Sequence, residues 1–246
     1  MTHRYVTTKS QGWWTCGLMA AALTLLWPIA TLAKTHSGPE ITTEKVNTGF
    51  LRQQDDVSAV TQVVLRERQA RDRAWWDRMM VAYWPDSRVE LSWYHGDGPG
   101  FVYASRKQFE TGDIGYHRLG ASVVDIRGNR ADVEVQSRNW TQLQVDGKTV
   151  NLYADMRLNY RLEKRHGEWR IVFLNPIYEH SELAPDVPGE TLSIPAEELA
   201  KFRPSYAALC WALRRKGLTL GQDEIGVDRP AGVAAFYTSV RQWMGE

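Results

Sequence analysis

The sequence predicts an α+β protein, with N-terminal helices laid on a curved antiparallel sheet of four long strands plus a short one. Three observations predict it. Apolar residues recur at helical spacing from Val57 to about Trp84. From Tyr116 to Tyr178 the period shifts to two. Between the alternating runs stand Gly128-Asn129, Asp146-Gly147 and His166-Gly167, dipeptides suited to tight hairpin turns.

The chain has 246 residues, with an ordinary balance of 43% hydrophobic and 24% charged residues. Residues 1–33 follow the pattern of a secretory signal peptide. Arg4 and Lys9 precede the uncharged stretch Gly12 to Ala33, Pro28 breaks it, and Thr31-Leu32-Ala33 offers a small-residue cleavage site. The alternative is an uncleaved inner-membrane anchor, and only in that case is the protein expected to touch a membrane. Both readings export residues 34–246 to the periplasm or the medium. Removing Arg4 and Lys9 leaves the remainder close to neutral, so there is no electrostatic case for nucleic acid. Cys16 lies in the leader, and Cys210 alone excludes an internal disulfide.

Residues 34–54 are polar and aperiodic, as in a linker. Asp55 or Asp56 can cap a helix starting at Val57 and continuing, with a kink near Asp72, to about Trp84, where Pro85 stops it. Arg88 to Tyr94 alternates as a short strand. His95 to Gly100 suits a turn, and Ser105 can cap a short helix to Thr111. Four strands follow at Tyr116–Arg127, Arg130–Val145, Thr149–Lys164 and Trp169–Tyr178. An antiparallel meander of that size needs a cover on one face, and the helices before it are the candidate. The prolines of residues 179–204 suit an extended surface segment. Two helices then close the chain, Ser205–Lys216 stopped by Gly217, and one opened by Pro230 and running to Met244.

The functional reading starts at Asp72. Asp72, Trp76, Met79, Met80 and Tyr83 fall on one face of a continuous helix, and four of these five are apolar or aromatic. A carboxylate on such a face needs a partner or a task. Among the six histidines, His117 stands out because it opens a strand beside Tyr116. No two histidines have metal-ligand spacing, no GxSxG elbow occurs, and His95-Gly96-Asp97-Gly98-Pro99-Gly100 is not a phosphate loop, so neither a metal nor another cofactor is expected. On the third strand Leu152, Ala154, Met156, Leu158 and Tyr160 alternate with Asn151, Tyr153, Asp155, Arg157 and Asn159. The second set faces either solvent or a polar pocket, and Arg138 and Trp140 next door raise the same question.

The element order, Asp72 with Trp76, Tyr116-His117-Arg118-Leu119-Gly120, and Gly167-Glu168-Trp169-Arg170-Ile171 together resemble the SnoaL-like branch of the nuclear transport factor 2-like superfamily over residues 55–180. Residues 181–246 form an extension whose Arg203-Pro204-Ser205-Tyr206 and Asp228-Arg229-Pro230 are similar to the tails of bacterial and fungal SnoaL-like proteins. The resemblance implies a cone-shaped α+β barrel and, on the pattern of the scytalone dehydratase-like relatives, a cofactor-independent dehydratase or isomerase. His117 would be the acid/base, and Asp72 would orient it and raise its pKa. Trp76, Tyr83, Trp93, Arg138, Tyr153, Asp155 and Arg157 would contact a small, apolar, oxygenated substrate. The relatives' second histidine and the tyrosine before their aspartate are absent, since Arg71 stands before Asp72 and the next strand offers Gln136, Arg138 and Trp140. Two alternatives use the same fold without chemistry: a ligand-binding module, and a structural module whose outer sheet face forms a homodimer.

Overall fold

The structure is a computed structural model that describes residues 54–112, 115–218 and 221–246. The leader and all but the last residue of the linker lie outside the described residues. Helix α1 spans Gln54–Asp72 and α2 spans Trp76–Met80; strands β1 and β2 span Tyr83–Leu91 and Tyr94–Gly96. Helix α3 covers Gly98–Glu110. Strands β3 to β6 cover Gly115–Arg127, Arg130–Val145, Lys148–Arg165 and Glu168–Pro185. The tail adds α4 (Ala196–Leu199), a 3₁₀ turn at Pro204–Tyr206, α5 (Ala207–Arg215) and α6 (Pro230–Met244).

The sheet is mixed, curved and open, in the order β2-β1-β6-β5-β4-β3. All neighbours are antiparallel except β1 and β6, which run parallel. The β3 to β6 meander is the one expected. The hairpins turn at Gly128, Asp146-Gly147 and His166-Gly167, all at positive φ. One addition is a β6 that continues to Pro185, so residues 179–185 extend the sheet instead of running loose over the surface.

The helix expected to continue, with a kink near Asp72, to about Trp84 instead ends at Asp72. The Trp75 N–H reaches the Ala70 carbonyl at 2.8 Å and the Ala74 N–H reaches Arg71 at 3.2 Å, with Ala74 at φ 57°. Those two bonds around a left-handed residue are a Schellman closure. The usual occupant of that position is glycine, and an alanine there concealed the stop. Tyr83 therefore opens β1 instead of sharing a helical face with Asp72. Pro85 sits within β1, where the register against β6 shifts between Tyr83 and Arg88. The segment 95–100 expected as a turn instead ends β2 at Gly96 and starts α3 at Gly98. Asp97 caps it, accepting from the Gly100 N–H at 2.6 Å, and Pro99 occupies the first turn. Ser105 is buried mid-helix and caps nothing.

Alternation then sorts the sheet into two faces. The concave face carries Val133, Val135, Leu152, Ala154, Met156, Leu158, Tyr160, Ile171 and Leu174, all buried in one core with Val60, Val64 and Phe101 of the covering helices. The convex face carries a smaller core in which Ile177 meets Phe236, Val240 and Met244 of α6. Helix α6 is tied to that face by Tyr237, whose hydroxyl donates to Glu134 at 2.5 Å, and by the Arg161 donation to Ser239 at 3.0 Å. Among the described residues no helix is long and apolar enough to cross a membrane.

Candidate active site

Helix α1 carries an unusual stripe toward the concave face of the sheet. After Val60 and Val64, the next buried positions are Glu67 and Arg68. Glu67 is sealed in: Arg68 donates to both of its oxygens, the Tyr83 hydroxyl donates at 2.8 Å and the Tyr160 hydroxyl at 3.3 Å. Four groups thus satisfy one another without water, which a buried ion pair requires to be tolerated. Burial and the neighbouring Glu67 charge hold both tyrosine hydroxyls far above their ordinary range, so they remain donors.

One turn further on, Asp72 meets His117 at the start of β3. The Asp72 carboxylate accepts from the His117 ring at 2.7 Å and, through its other oxygen, from the His117 backbone N–H at 2.7 Å. The two side chains are 5% (His117) and 13% (Asp72) exposed. An ionised carboxylate can only accept, so Nδ1 carries the ring proton. Nε2 is left with its lone pair free and no partner among the described residues. Burial pushes Asp72 up, but the His117 ring hydrogen bond and charge, the backbone N–H and Arg68 outweigh it and hold the carboxyl below its usual range. His117 goes down to about 4, against the expectation that Asp72 would raise it. Loss of water dominates, Arg68 and Arg71 add to it, and the hydrogen bond to Asp72 offsets only part. At neutral pH the site holds a neutral imidazole beside an ionised carboxylate.

His117 lines a cavity of about 80 Å³ on the concave side. A water needs roughly 10–15 Å³ of such space, so the cavity admits a ligand of several heavy atoms. Leu91, Trp93, Phe101, Leu152, Met156 and Leu158 make most of its wall apolar, while Arg68, Arg71, Asn139 and Thr141 supply polar edges. The tail takes part: Leu209 and Leu213 of α5 form one side, with Lys216 just beyond the helix. Helix α5 is held there by Arg203, which donates to both oxygens of Asp228 at 2.7 and 2.9 Å and to the Glu224 carbonyl, and by the ring contact of Tyr206 with Tyr178, 5.0 Å between centroids. Cys210 is buried and its thiol is pushed up to about 12 by burial, so it is no nucleophile.

A family model described as a SnoaL-like domain matches residues 52–175, half of the chain. The protein belongs to the SnoaL-like domain family. This SnoaL-like chain is 25% identical over 185 residues to a PEP2-like protein of Fusarium vanettenii, a match covering 71% of this chain and 79% of the fungal one. Among solved structures it is similar to the hexachlorocyclohexane dehydrochlorinase LinA-type3 of Novosphingobium barchaimii, at 13% identity, covering 59% of this chain and 99% of that one with a TM-score of 0.46. It is also similar to a variant of Rv3472, a protein of unknown function from Mycobacterium tuberculosis, at 16% identity, covering 71% and 97% with a TM-score of 0.44.

Of the residues expected at the site of this SnoaL-like protein, the fold brings Asp72, His117 and Trp93 together. Tyr83 is buried behind the cavity on Glu67. Trp76 packs edge-on against Phe109, 5.8 Å between centroids, outside the cavity wall. Arg138, Tyr153, Asp155 and Arg157 stand on the convex face. There Arg138 stacks on Tyr153 and pairs with Asp155 and Glu182, and Arg157 donates to Glu179 at 2.7 Å and to Glu134 at 3.2 Å. The correction is one of strand parity, because the apolar partners Leu152, Met156 and Leu158 occupy the cavity side of the same strand. Arg68 and Arg71 were not expected. Their signal was available: Val60, Val64, Glu67, Arg68 and Arg71 share one helical face by the spacing that singled out Asp72.

Proposed function

We propose that this SnoaL-like domain is a cofactor-independent lyase or isomerase that moves a proton on a small, largely apolar, oxygenated ligand. The observation that carries the reading is the His117–Asp72 geometry, with Nδ1 fixed as donor to a carboxylate and Nε2 unpartnered on a side chain that lines the cavity. His117 takes a proton from the carbon next to a carbonyl: the C–H bond breaks, Nε2–H forms, and the electron pair moves onto the carbonyl oxygen as an enolate. Return of the proton to another carbon isomerises the ligand. Loss of a β-hydroxyl as water, with the imidazolium giving up its proton to it, eliminates. Asp72 holds the ring in one tautomer and stabilises the transient imidazolium. A positioned base of this kind contributes roughly 10²–10⁴-fold.

The test is exchange of α-protons for deuterium in a set of small cyclic ketones and β-hydroxy ketones, followed by NMR with the full chain. Wild type accelerates exchange, and His117→Ala loses at least roughly 100-fold of that acceleration. Equal rates in both proteins would refute the reading. A second reading, ligand binding without turnover, draws on the low proton affinity of His117, which makes it a weak base. In that case His117→Ala keeps its affinity for whatever ligand wild type holds, and no exchange is seen. The leader pattern supports export as part of the proposal, and N-terminal sequencing of the protein from its native host reads the cleavage point directly.

A further inference from the structure

Arg71 is a cation of the site that the described residues leave without an acceptor. Arg68 is occupied by Glu67 through two hydrogen bonds. Asp72, which follows Arg71 in sequence, has both oxygens taken by His117. Arg71 lines the cavity, its Nε is closed off from solvent with no hydrogen-bond partner, and among the described residues its guanidinium forms no ion pair. The guanidinium carbon lies over the face of Trp93, 5.9 Å from the ring centroid. A guanidinium has five N–H donors in a planar fork, and on this half-buried side chain the Nε donor is sealed off unpaired, which is costly. Burial and the charge of Arg68 lower even its proton affinity, to about 10. A ligand oxygen in the cavity would supply the missing acceptor.

We infer that the cavity receives an anionic oxygen at Arg71, borne on a small apolar body, and that this oxygen is the enolate formed when His117 removes the neighbouring proton. The inference rests on the proton-transfer reading for the origin of the anion, but the anion site itself stands on Arg71. Two features favour an oxygen conjugated to an apolar body over a free inorganic anion. Most of the wall is apolar, with Leu91, Phe101, Met156 and Leu158 among its residues, and polar groups such as Asn139 and Thr141 stand only at its edges, so a ligand there must bring an apolar body as well as a charge. Trp93 stacks on the guanidinium and leaves the edge of its fork for a ligand in the same plane. Arg71 would then do for the developing oxyanion what a preorganised donor does in a water-poor site, where such a group acts more strongly than in bulk water. It is also ready before the proton moves, because its charge does not depend on the state of His117. A ligand carboxylate presents the same chemistry in the ground state, so the experiment separates the two sources.

The probe is 4-nitrophenol, a planar stand-in for an enol and its enolate that titrates near neutrality and whose two forms differ in absorbance. It is titrated with the full-length protein and with Arg71→Gln and Arg71→Lys, with thermal melts as the fold control. The expected result is that wild type binds the phenolate at least tenfold more tightly than the phenol, lowering the probe's apparent pKa by one unit or more. Arg71→Gln abolishes this preference while still binding nitrobenzene, and Arg71→Lys keeps part of it. Benzoate against benzamide reads the ground-state source, and a preference there that Arg71→Gln also removes identifies carboxylic acids as the substrate class. Equal binding of the two forms, no binding of the phenolate, or a phenolate preference that survives in Arg71→Gln would overturn the inference. His117→Ala separates the two proposals: phenolate binding that persists with exchange lost supports both, and phenolate binding with exchange untouched by the substitution keeps the anion site and removes the proton-transfer reading.

Discussion

Asp72 holds His117 by two atoms at once, the ring Nδ1 and the backbone nitrogen, both at 2.7 Å. The second bond matters as much as the first. It ties the end of α1 to the start of β3, so the imidazole is fixed by the fold and not only by its own rotamer. Asp72→Asn keeps the shape but can accept only through one oxygen, leaving one N–H of His117 facing an amide NH₂. Stability should fall by roughly 1–3 kcal/mol, the cost of an unsatisfied buried donor. A rise in melting temperature would mean that the carboxylate was an uncompensated burden despite its partners. Exchange activity should fall by about 100-fold or more, because the ring can turn or adopt the other tautomer.

The proton affinity of His117 sets the acid limb of any activity. The imidazole must be neutral to act as base, and its pKa stands at about 4 against an ordinary value of 6.5. The rate should therefore be flat through neutral pH and fall only as pH approaches 4. An inflection near 6.5 would show an imidazole in contact with bulk water. The stability consequence has a definite sign. Between 6.5 and 4 the unfolded chain takes up the proton and the folded chain refuses it, so stability contributed above 6.5 is lost as pH falls through that window. The size is roughly 3 kcal/mol for this group alone.

Asp132 on the convex face works in the opposite direction. Burial raises its carboxyl from 3.8 to about 7, with Asp125 and Glu134 adding to the effect and the Asn159 hydrogen bond and Arg161 opposing it. A raised carboxyl binds its proton in the folded state first, so its contribution is lost as pH rises from 3.8 to 7. Asp132→Asn removes the ionisation and still offers an oxygen to the Asn159 amide, which donates to Asp132 at 2.8 Å in wild type. At pH 8 the variant should be more stable by something of order 2 kcal/mol in denaturant melts, with the gain disappearing toward pH 4. The same variant should show a steeper acid loss than wild type, because the opposing slope of His117 is no longer masked. A gain independent of pH would place the effect in packing instead.

Much of this arrangement was legible in the residues, and the misses share a physical cause. The meander was readable because β3 to β6 alternate cleanly between dipeptide turns, and His117 because it opens one of those strands. Asp72 was found by the right spacing in the wrong frame, on a helix that in fact stops there. Glu67, Arg68 and Arg71 sit on the buried stripe that Val60 and Val64 announce, but charged residues weigh against burial unless their partners are known, and Tyr83 and Tyr160 come from strands distant in sequence. The parity of β5 was undecidable for a related reason. Tyr153, Asp155 and Arg157 suit either a polar pocket or a convex face, and the choice depends on Glu134, Glu179 and Glu182 standing beside the arginines.

The stop that the sequence showed only as a kink is itself open to measurement. Ala74 holds φ 57° in the Schellman closure that ends α1 directly after Asp72. For an L-residue that conformation costs roughly 1–2 kcal/mol, and for glycine almost nothing. Glycine gives back part of the difference through the extra freedom of its unfolded chain, about 0.5–1 kcal/mol. Ala74→Gly should therefore stabilise the protein by about 0.5–1 kcal/mol, measured as an upward shift in the denaturant midpoint at unchanged slope. Ala74→Val should do the opposite and more strongly, since a β-branched side chain is a poor occupant of the left-handed region. If the turn only terminates the helix, Ala74→Gly leaves exchange by His117 as it was. If the rigidity of the turn also aims Asp72, the stabilised variant will be slower, and the loss will appear in the rate of exchange and not in ligand affinity.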